Sequence, residues 1–322
     1  MISQYSNQPF PNAAIDVGTN TIKLLIGSIT NGRLIRLVKK REVTRLGNGL
    51  TEHGILNKGS IIRSISTLNR FKALIEQYKS ISTTAVGTSA LRDAQNSLQF
   101  VETVKEQTGI NLTIISGNME AELTEKGVLG YRDSPATPVF IADIGGGSTE
   151  WTIHGNNLDR KRSSIQIGAV RLYEQFIRRD PPTPSEIWNM TSHIVESVKR
   201  SFLKNKISFK PDMEEIGSFV ATGGTAVTVA SLDMGLDYYD GDKIHLHKLS
   251  FAKLDELYKQ LSAMSWQDRV DVKGMEPERA DIIIPGMVIL HVLMELLNAD
   301  TLITSDYGLL EGILLNVEKT IL

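Results

Sequence analysis

The sequence predicts a mixed α/β protein built as two domains with a ligand cleft between them. Three observations carry this. The chain has 322 residues, more than one hydrophobic core usually serves, and ligands favour the clefts such divisions leave. A β-hairpin pattern with a glycine turn occurs near the start and again near residue 140, which reads as an internal duplication of a supersecondary unit. Around the two copies, strand-like and helix-like segments alternate, as in a layered α/β unit.

After a polar tail, AAIDVGTNTIKLLIGSI from Ala13 to Ile29 gives two β-rich segments around Gly18, Thr19 and Asn20. The design returns as PVFIADIGGGSTEWTIHG from Pro138 to Gly155, with Asp143 in the place of Asp16. Ile61, Ile62, Ile65, Leu68, Phe71, Leu74, Ile75 and Tyr78 recur at helical spacing, so Leu56 to Lys79 reads as an amphipathic helix whose apolar residues form core. A strand follows near Thr84, then one helix from Leu91 to Gln107 closed by Gly109, then a strand in INLTIIS.

In the second half a strand is expected near Ser164 to Ile167 and a helix from Gly168 to Arg179. Thr183, Pro184 and Glu186 then mark a long helix with an N-cap, a proline at N1 and a capping-box acid. FVATGGTAVTVASL reads as strand, Gly-Gly turn and helix start, and a further helix runs from Phe251 to Met264. Another begins after Pro277, with Pro285 expected to kink or divide it. A strand at Thr301 to Thr304 and an amphipathic helix from Gly308 to Leu322 end the chain.

Apolar residues make up 41% and charged residues 22%, ordinary values for a globular protein. With Lys+Arg 35 against Asp+Glu 37, the net charge of −2 gives no field toward DNA, RNA or an acidic membrane. Absent cysteine excludes disulfides, thiolate metal sites and thiol nucleophiles. No signal peptide or membrane span is evident, so a cytoplasmic enzyme is the expectation.

Three glycine-rich turns follow apolar strands: Gly18-Thr19-Asn20, Gly145-Gly146-Gly147-Ser148-Thr149 and Gly223-Gly224-Thr225. Such turns bring backbone N–H groups close to an anion, although glycine also serves hairpins for conformational reasons alone. Asp16 and Asp143 each end a strand before a turn, and Glu150 lies on the returning strand. Acids so placed can hold Mg²⁺ while the turn holds phosphate; an Asx-turn is the other reading. Arg92 and Glu120 lie just past strands where helices begin. The arginine suits bidentate phosphate binding and the glutamate suits activation of water, while a surface arginine and a helix-start acid are the alternatives. His245 and His247 are two residues apart and read as solvent-facing.

In order, AAIDVGTNTIKLLI, VTRLGNGL, AVGTSALRDAQN, IISGNMEAEL, IADIGGGSTEW, SIQIGAVRLYEQF, ATGGTAVTVASL, MEPERADIIIPGMVIL and SDYGLLEGIL span nearly the whole chain. Together they resemble the exopolyphosphatase/guanosine pentaphosphate phosphatase family of the sugar kinase, Hsp70 and actin superfamily. The resemblance implies two ribonuclease-H-like (actin-like ATPase) domains, residues 1–125 with 302–322 and residues 126–301, with substrate between them. It implies Glu120 as the water-activating acid, Arg92 as a phosphate-binding arginine, Asp143 and Glu150 as ligands of Mg²⁺ or another divalent cation, and the three turns as phosphate-binding loops; Asp16 stays a metal candidate on its place before the first turn alone. Met119 stands where the family often has a second acid, and Leu310 where it commonly has arginine. Longer relatives carry further C-terminal domains, which implies weaker processivity on long chains for this one.

The expected reaction is Mg²⁺-dependent hydrolysis of the terminal phosphoanhydride of inorganic polyphosphate, with pppGpp as the alternative substrate, no DNA, RNA or membrane partner, and a homodimer allowed. A kinase of the same superfamily and a non-catalytic alarmone or polyphosphate sensor are the rival classes. The SALRDA and SGNMEAEL blocks speak against the first, and retention of Glu120, Asp143 and Glu150 speaks against the second.

Overall fold

Ala13, Ala14, Ile15 and Val17 are all buried, so the first strand, β1 (Asn12–Val17), is covered on both faces. A computed structural model describes residues 10–31, 33–130, 137–155, 160–207 and 216–321. The polar residues 1–9 and Leu322 lie outside them. The chain forms two compact units, residues 1–132 with 309–322 and residues 133–308.

In the first unit, β1 pairs antiparallel with β2 (Thr21–Thr30), which pairs antiparallel with β3 (Arg33–Val43). On its other side β1 runs parallel to β4 (Ser82–Gly87), and β4 parallel to β5 (Leu112–Ile114). The sheet order is β3-β2-β1-β4-β5. The second unit repeats this with β6 (Val139–Ile144), β7 (Thr149–His154), β8 (Lys161–Ile165), β9 (Ser218–Thr222) and β11 (Thr301–Thr304), adding β10 (Lys248–Ser250) at one edge. Its order, β10-β11-β9-β6-β7-β8, is the same topology with one extra strand. Both units are therefore ribonuclease-H-like, and the duplication read from two hairpins extends through whole sheets.

Several details correct the sequence reading. Ile65, Leu68, Phe71 and Ile75 of the Lys58–Gln77 helix are buried, but Ile62 and Tyr78 are exposed and are not core. The helix expected over Leu91 to Gln107 is two, Ser89–Asp93 and Ser97–Thr108. The break comes at Asn96, whose amide accepts from Leu56 N at 2.8 Å and donates to Leu56 O at 3.1 Å, competing with helical pairing. Pro285 does not divide its helix. Ile283–Leu296 begins only two residues before it, so the missing N–H falls in the first turn, where it has no helical acceptor. The Pro184–Lys204 helix starts with the expected capping box.

Aromatic packing supports the second sheet: Phe140 meets Trp151, Phe202 and Phe219 at centroid distances of 6.0, 5.9 and 5.5 Å, and Trp151 Nε1 donates to Ser201 Oγ at 3.0 Å. In the first unit the Leu309–Ile321 helix lies tightly against the Gly117–Leu129 helix. A β-carbon at Gly312 would sit 1.7 Å from Leu123 O. Leu310, in place of the family's usual arginine, is buried with Ala14, Leu25 and Val86. The β3 edge is tied to the Lys58–Gln77 helix by Glu42, whose carboxylate accepts from Arg70 Nε at 3.1 Å and Thr67 Oγ1 at 2.9 Å.

Gly312→Ala is expected to destabilise the fold by about 1–3 kcal/mol in urea denaturation, the usual cost of overpacking. Gly59→Ala, helical and 3.5 Å from its nearest neighbours, is expected to be neutral or stabilising. The Arg70 hydrogen bond holds the Glu42 carboxyl below its ordinary range. Its stabilisation is therefore present above the unfolded-state pKa and lost as pH falls through the folded value. The stability difference between the wild type and Glu42→Gln should shrink on acidification in pH-resolved denaturation; a constant difference would contradict this.

Candidate active site

Cross-strand register fixes the first cluster. Val17, Gly87 and Ile114 are aligned across β1, β4 and β5, so the loops after these three parallel strands leave from one edge of the sheet. This is where open α/β sheets gather ligands. Asp16 faces Lys23 across the hairpin, and Lys23 Nζ donates to its Oδ2 at 3.1 Å. Asp16 Oδ1 is buried with no hydrogen-bond partner, as is the Asn20 Nδ2 donor in the adjoining turn. Gly18 N donates to Thr21 O at 3.1 Å. The turn is clamped from outside, because Asn20 O accepts from Thr44 N and Arg45 N and Thr19 O accepts from Gly47 N. Buried polar groups without partners are rare in native proteins. A donor and an acceptor left open at one turn suit an anion accompanied by water or a cation.

Glu120 lies in the first turn of the Gly117–Leu129 helix, which is capped by Ser116 Oγ accepting from Met119 N. It is 7% exposed. Arg92, from the short helix after β4, donates through Nη1 to Glu120 Oε2 at 2.6 Å and to Ile115 O at 3.2 Å. The structure thus joins the two residues that sequence reading placed separately as base and phosphate fork. Met119 is exposed beside them.

In the second unit Asp143 and Glu150 are direct cross-strand partners, with Ser164 beyond Glu150 and Thr222 beyond Asp143 in the same row. Ser148 Oγ and Ser164 Oγ each donate to Glu150 Oε1 at 2.7 Å, which fixes the carboxylate. Gly145 N donates to Ser148 O at 3.0 Å, the same turn bond as in the first copy. The clamp is also repeated: Gly145 O accepts from Ala169 N, Gly146 O from Val170 N and Arg171 N, and Gly147 O from Arg171 Nε at 2.8 Å. At the third loop, Gly223 has φ +89°, and a β-carbon there would lie 2.4 Å from Asp143 Oδ1. Thr225 is buried beside it.

Sequence reasoning missed Arg279. This buried guanidinium lies directly on Gly224, where a β-carbon would come within 2.1 Å of its Cζ and both Nη atoms, and its Nε donates to Glu276 Oε2 at 2.9 Å. Only the MEPERAD block pointed to it. His245 and His247 are half-buried and separately engaged rather than solvent-facing: His247 Nε2 is 2.7 Å from Asp233 Oδ2, and His245 stacks on Tyr307 at 4.4 Å.

Among the described residues, no group of three His, Cys, Asp or Glu side chains is placed to hold a metal. Mg²⁺ does not need one, since it usually takes one or two carboxylates plus water and substrate oxygens. The opposed Asp143 and Glu150 fit that requirement. Asp16, paired with Lys23, fits it less directly.

The model of the Ppx/GppA phosphatase family matches residues 25–321. Exopolyphosphatase 2 of Mycobacterium tuberculosis is 31% identical over 95% of this chain and 98% of its own. A guanosine-5′-triphosphate,3′-diphosphate pyrophosphatase of Vibrio vulnificus is 28% identical over 97% of this chain, which spans 60% of that protein. A bifunctional 3-dehydroquinate synthase/phosphatase of Fusobacterium nucleatum is 29% identical over 98% of this chain, which spans 47% of that protein. Among solved structures, the Aquifex aeolicus Ppx/GppA family member aligns at TM-score 0.79 with 29% identity, covering 97% of this chain and 98% of that one. An exopolyphosphatase from Cytophaga hutchinsonii aligns at 0.85 with 26% identity, covering 96% and 98%. With the family matched over nearly its whole length, in sequence and in fold, this chain belongs to the Ppx/GppA phosphatase family.

Proposed function

We propose that this protein is an exopolyphosphatase that hydrolyses the terminal phosphoanhydride of inorganic polyphosphate. The observation that carries the reading is Glu120, a buried carboxylate at a helix N-terminus held at 2.6 Å by Arg92. A carboxylate so fixed can orient a water and accept its proton. The Arg92 guanidinium can present positive charge to a phosphate oxygen. Asn20 and the clamped glycine turns supply donors to the phosphate chain, and Arg279 adds positive charge at the Gly223–Thr225 loop. Asp143 and Glu150 would hold Mg²⁺, with Asp16 as a further candidate. When bound, the ion offsets charge developing on the phosphate oxygens.

pppGpp is the second reading, favoured by the likeness to the Vibrio vulnificus pyrophosphatase. The exchange of one terminal phosphoanhydride for another leaves the residue roles unchanged. No described helix is long and apolar enough to cross a membrane. With no cysteine in the chain, we read the site of action as the cytoplasm; a homodimer is the assembly to look for by sedimentation.

Purified protein with Mg²⁺ should release phosphate from long or short polyphosphate faster than from pppGpp or ATP. Glu120→Gln should keep the fold and lose release by roughly two to four orders of magnitude, the scale of general-base removal. Unchanged turnover would sink the assignment. Asp143→Asn should raise the Mg²⁺ concentration needed for half-maximal activity and shrink the Mg²⁺-induced rise in Tm; an unaltered metal response would remove Asp143 from the metal site.

A further inference from the structure

Arg269 is only 2% exposed, a depth at which a guanidinium must have its donors used. Its Nε donates to Ala280 O at 2.9 Å, Nη1 to Met264 O at 2.8 Å and Nη2 to Asp180 Oδ1 at 2.5 Å. The other Asp180 oxygen accepts from Trp266 N. One cation therefore joins the end of the Phe251–Ser262 helix, the start of the Trp266–Val270 helix, the turn at Asp180 and the backbone at Ala280.

These four attachments are not equivalent. The Trp266–Val270 helix has its own cap, with Ser265 Oγ accepting from Asp268 N. Ala280 instead follows a single turn, Pro277–Arg279, whose last residue lays its guanidinium on Gly224. Arg279 is steadied on one side by Glu276. On the other its backbone continues into Ala280, whose carbonyl takes the Arg269 donor. Gly224 leaves no slack, because its missing side chain is the space that the Arg279 guanidinium fills.

We propose that Arg269 is a positioning residue: by holding Ala280, it sets the Arg279 guanidinium across the Gly223–Thr225 phosphate loop. The proposal rests on the reading of Arg279 as a phosphate-handling cation. Lysine at position 269 would preserve charge, but a single ammonium does not reproduce a planar fork reaching Ala280, Met264 and Asp180 together.

The test is a double-mutant cycle on the full chain, reading Mg²⁺-dependent phosphate release from polyphosphate together with Tm. Arg279→Ala should lower kcat/KM, and Arg269→Lys alone should lower it by about ten-fold, within the range that small misplacements produce. In the Arg279→Ala background, Arg269→Lys should cost less than about two-fold more, although it lowers Tm in both backgrounds. Equal losses in kcat/KM in both backgrounds would show a general structural role and overturn the proposal, as would unchanged kcat/KM in Arg269→Lys. Should Arg269→Lys fail to fold, Asp180→Asn, which weakens the same anchor near the surface, takes its place in the cycle with the same criteria. An Arg279→Ala protein with wild-type kcat/KM would instead remove the role given to Arg279, and this proposal with it.

Discussion

Parallel register is the constraint on which the rest of the structure depends. In the first unit Val17, Gly87 and Ile114 end their strands in one row. In the second, Asp143 aligns with Thr222, and Ala221 with Thr304. A one-residue slip in any of these pairs would reverse which side chains face the core and carry the following loop off the row. β1 and β6 are buried on both faces, so a slip in either would exchange residues between two differently packed faces. Within each unit the loop positions follow from core packing: the pairing that buries Ile15 brings the Gly18 turn, Arg92 and Glu120 to the strand ends of the first sheet, and the pairing that buries Phe140 brings the Gly145 turn and the Thr222 loop to those of the second.

Close approach is the second device, and it ties the turns to the segments behind them. Gly47 has no room for a side chain beside Thr19, and Gly168 none beside Gly146 and Gly147. At both places the missing β-carbon lets a neighbouring segment donate backbone N–H groups to the carbonyls of the turn. With the carbonyls engaged from behind, the turn cannot relax to satisfy its own polar groups. Asn20 Nδ2 and Asp16 Oδ1 are left buried and unmatched. That arrangement costs folding free energy and is reasonable where a ligand returns the cost.

What was legible in the sequence were features encoded locally. The two hairpins show through period-2 apolar residues around glycine, and the Thr183 helix start through its capping box. β3 was not seen, because a register shift opposite Ile26 and Gly27 breaks its alternation and its middle is strongly basic. The split after Asp93 depends on Asn96 meeting Leu56, forty residues away, and Arg279 meets a glycine fifty-five residues before it. No local pattern records such contacts. The pairing of Glu120 with Arg92 was equally invisible: each residue could be placed at a strand end, but not the 2.6 Å between them.

The duplication also explains why the two turns should not do the same work. Asp16 and Asp143 hold the same place, and each faces the residue seven positions later across its hairpin. In the first copy that residue is Lys23, which satisfies one carboxylate oxygen and leaves the turn with a positive group beside an open donor. In the second it is Glu150, so two carboxylates stand opposite one another, with Glu150 Oε1 taking the Ser148 and Ser164 hydroxyls. A lysine at that position suits a turn that meets an anion, and a glutamate suits one that meets a cation. One exchange at one register position thus gives the duplicated hairpins different chemistry: a carboxylate answered by an ammonium in the first unit, and two carboxylates side by side in the second.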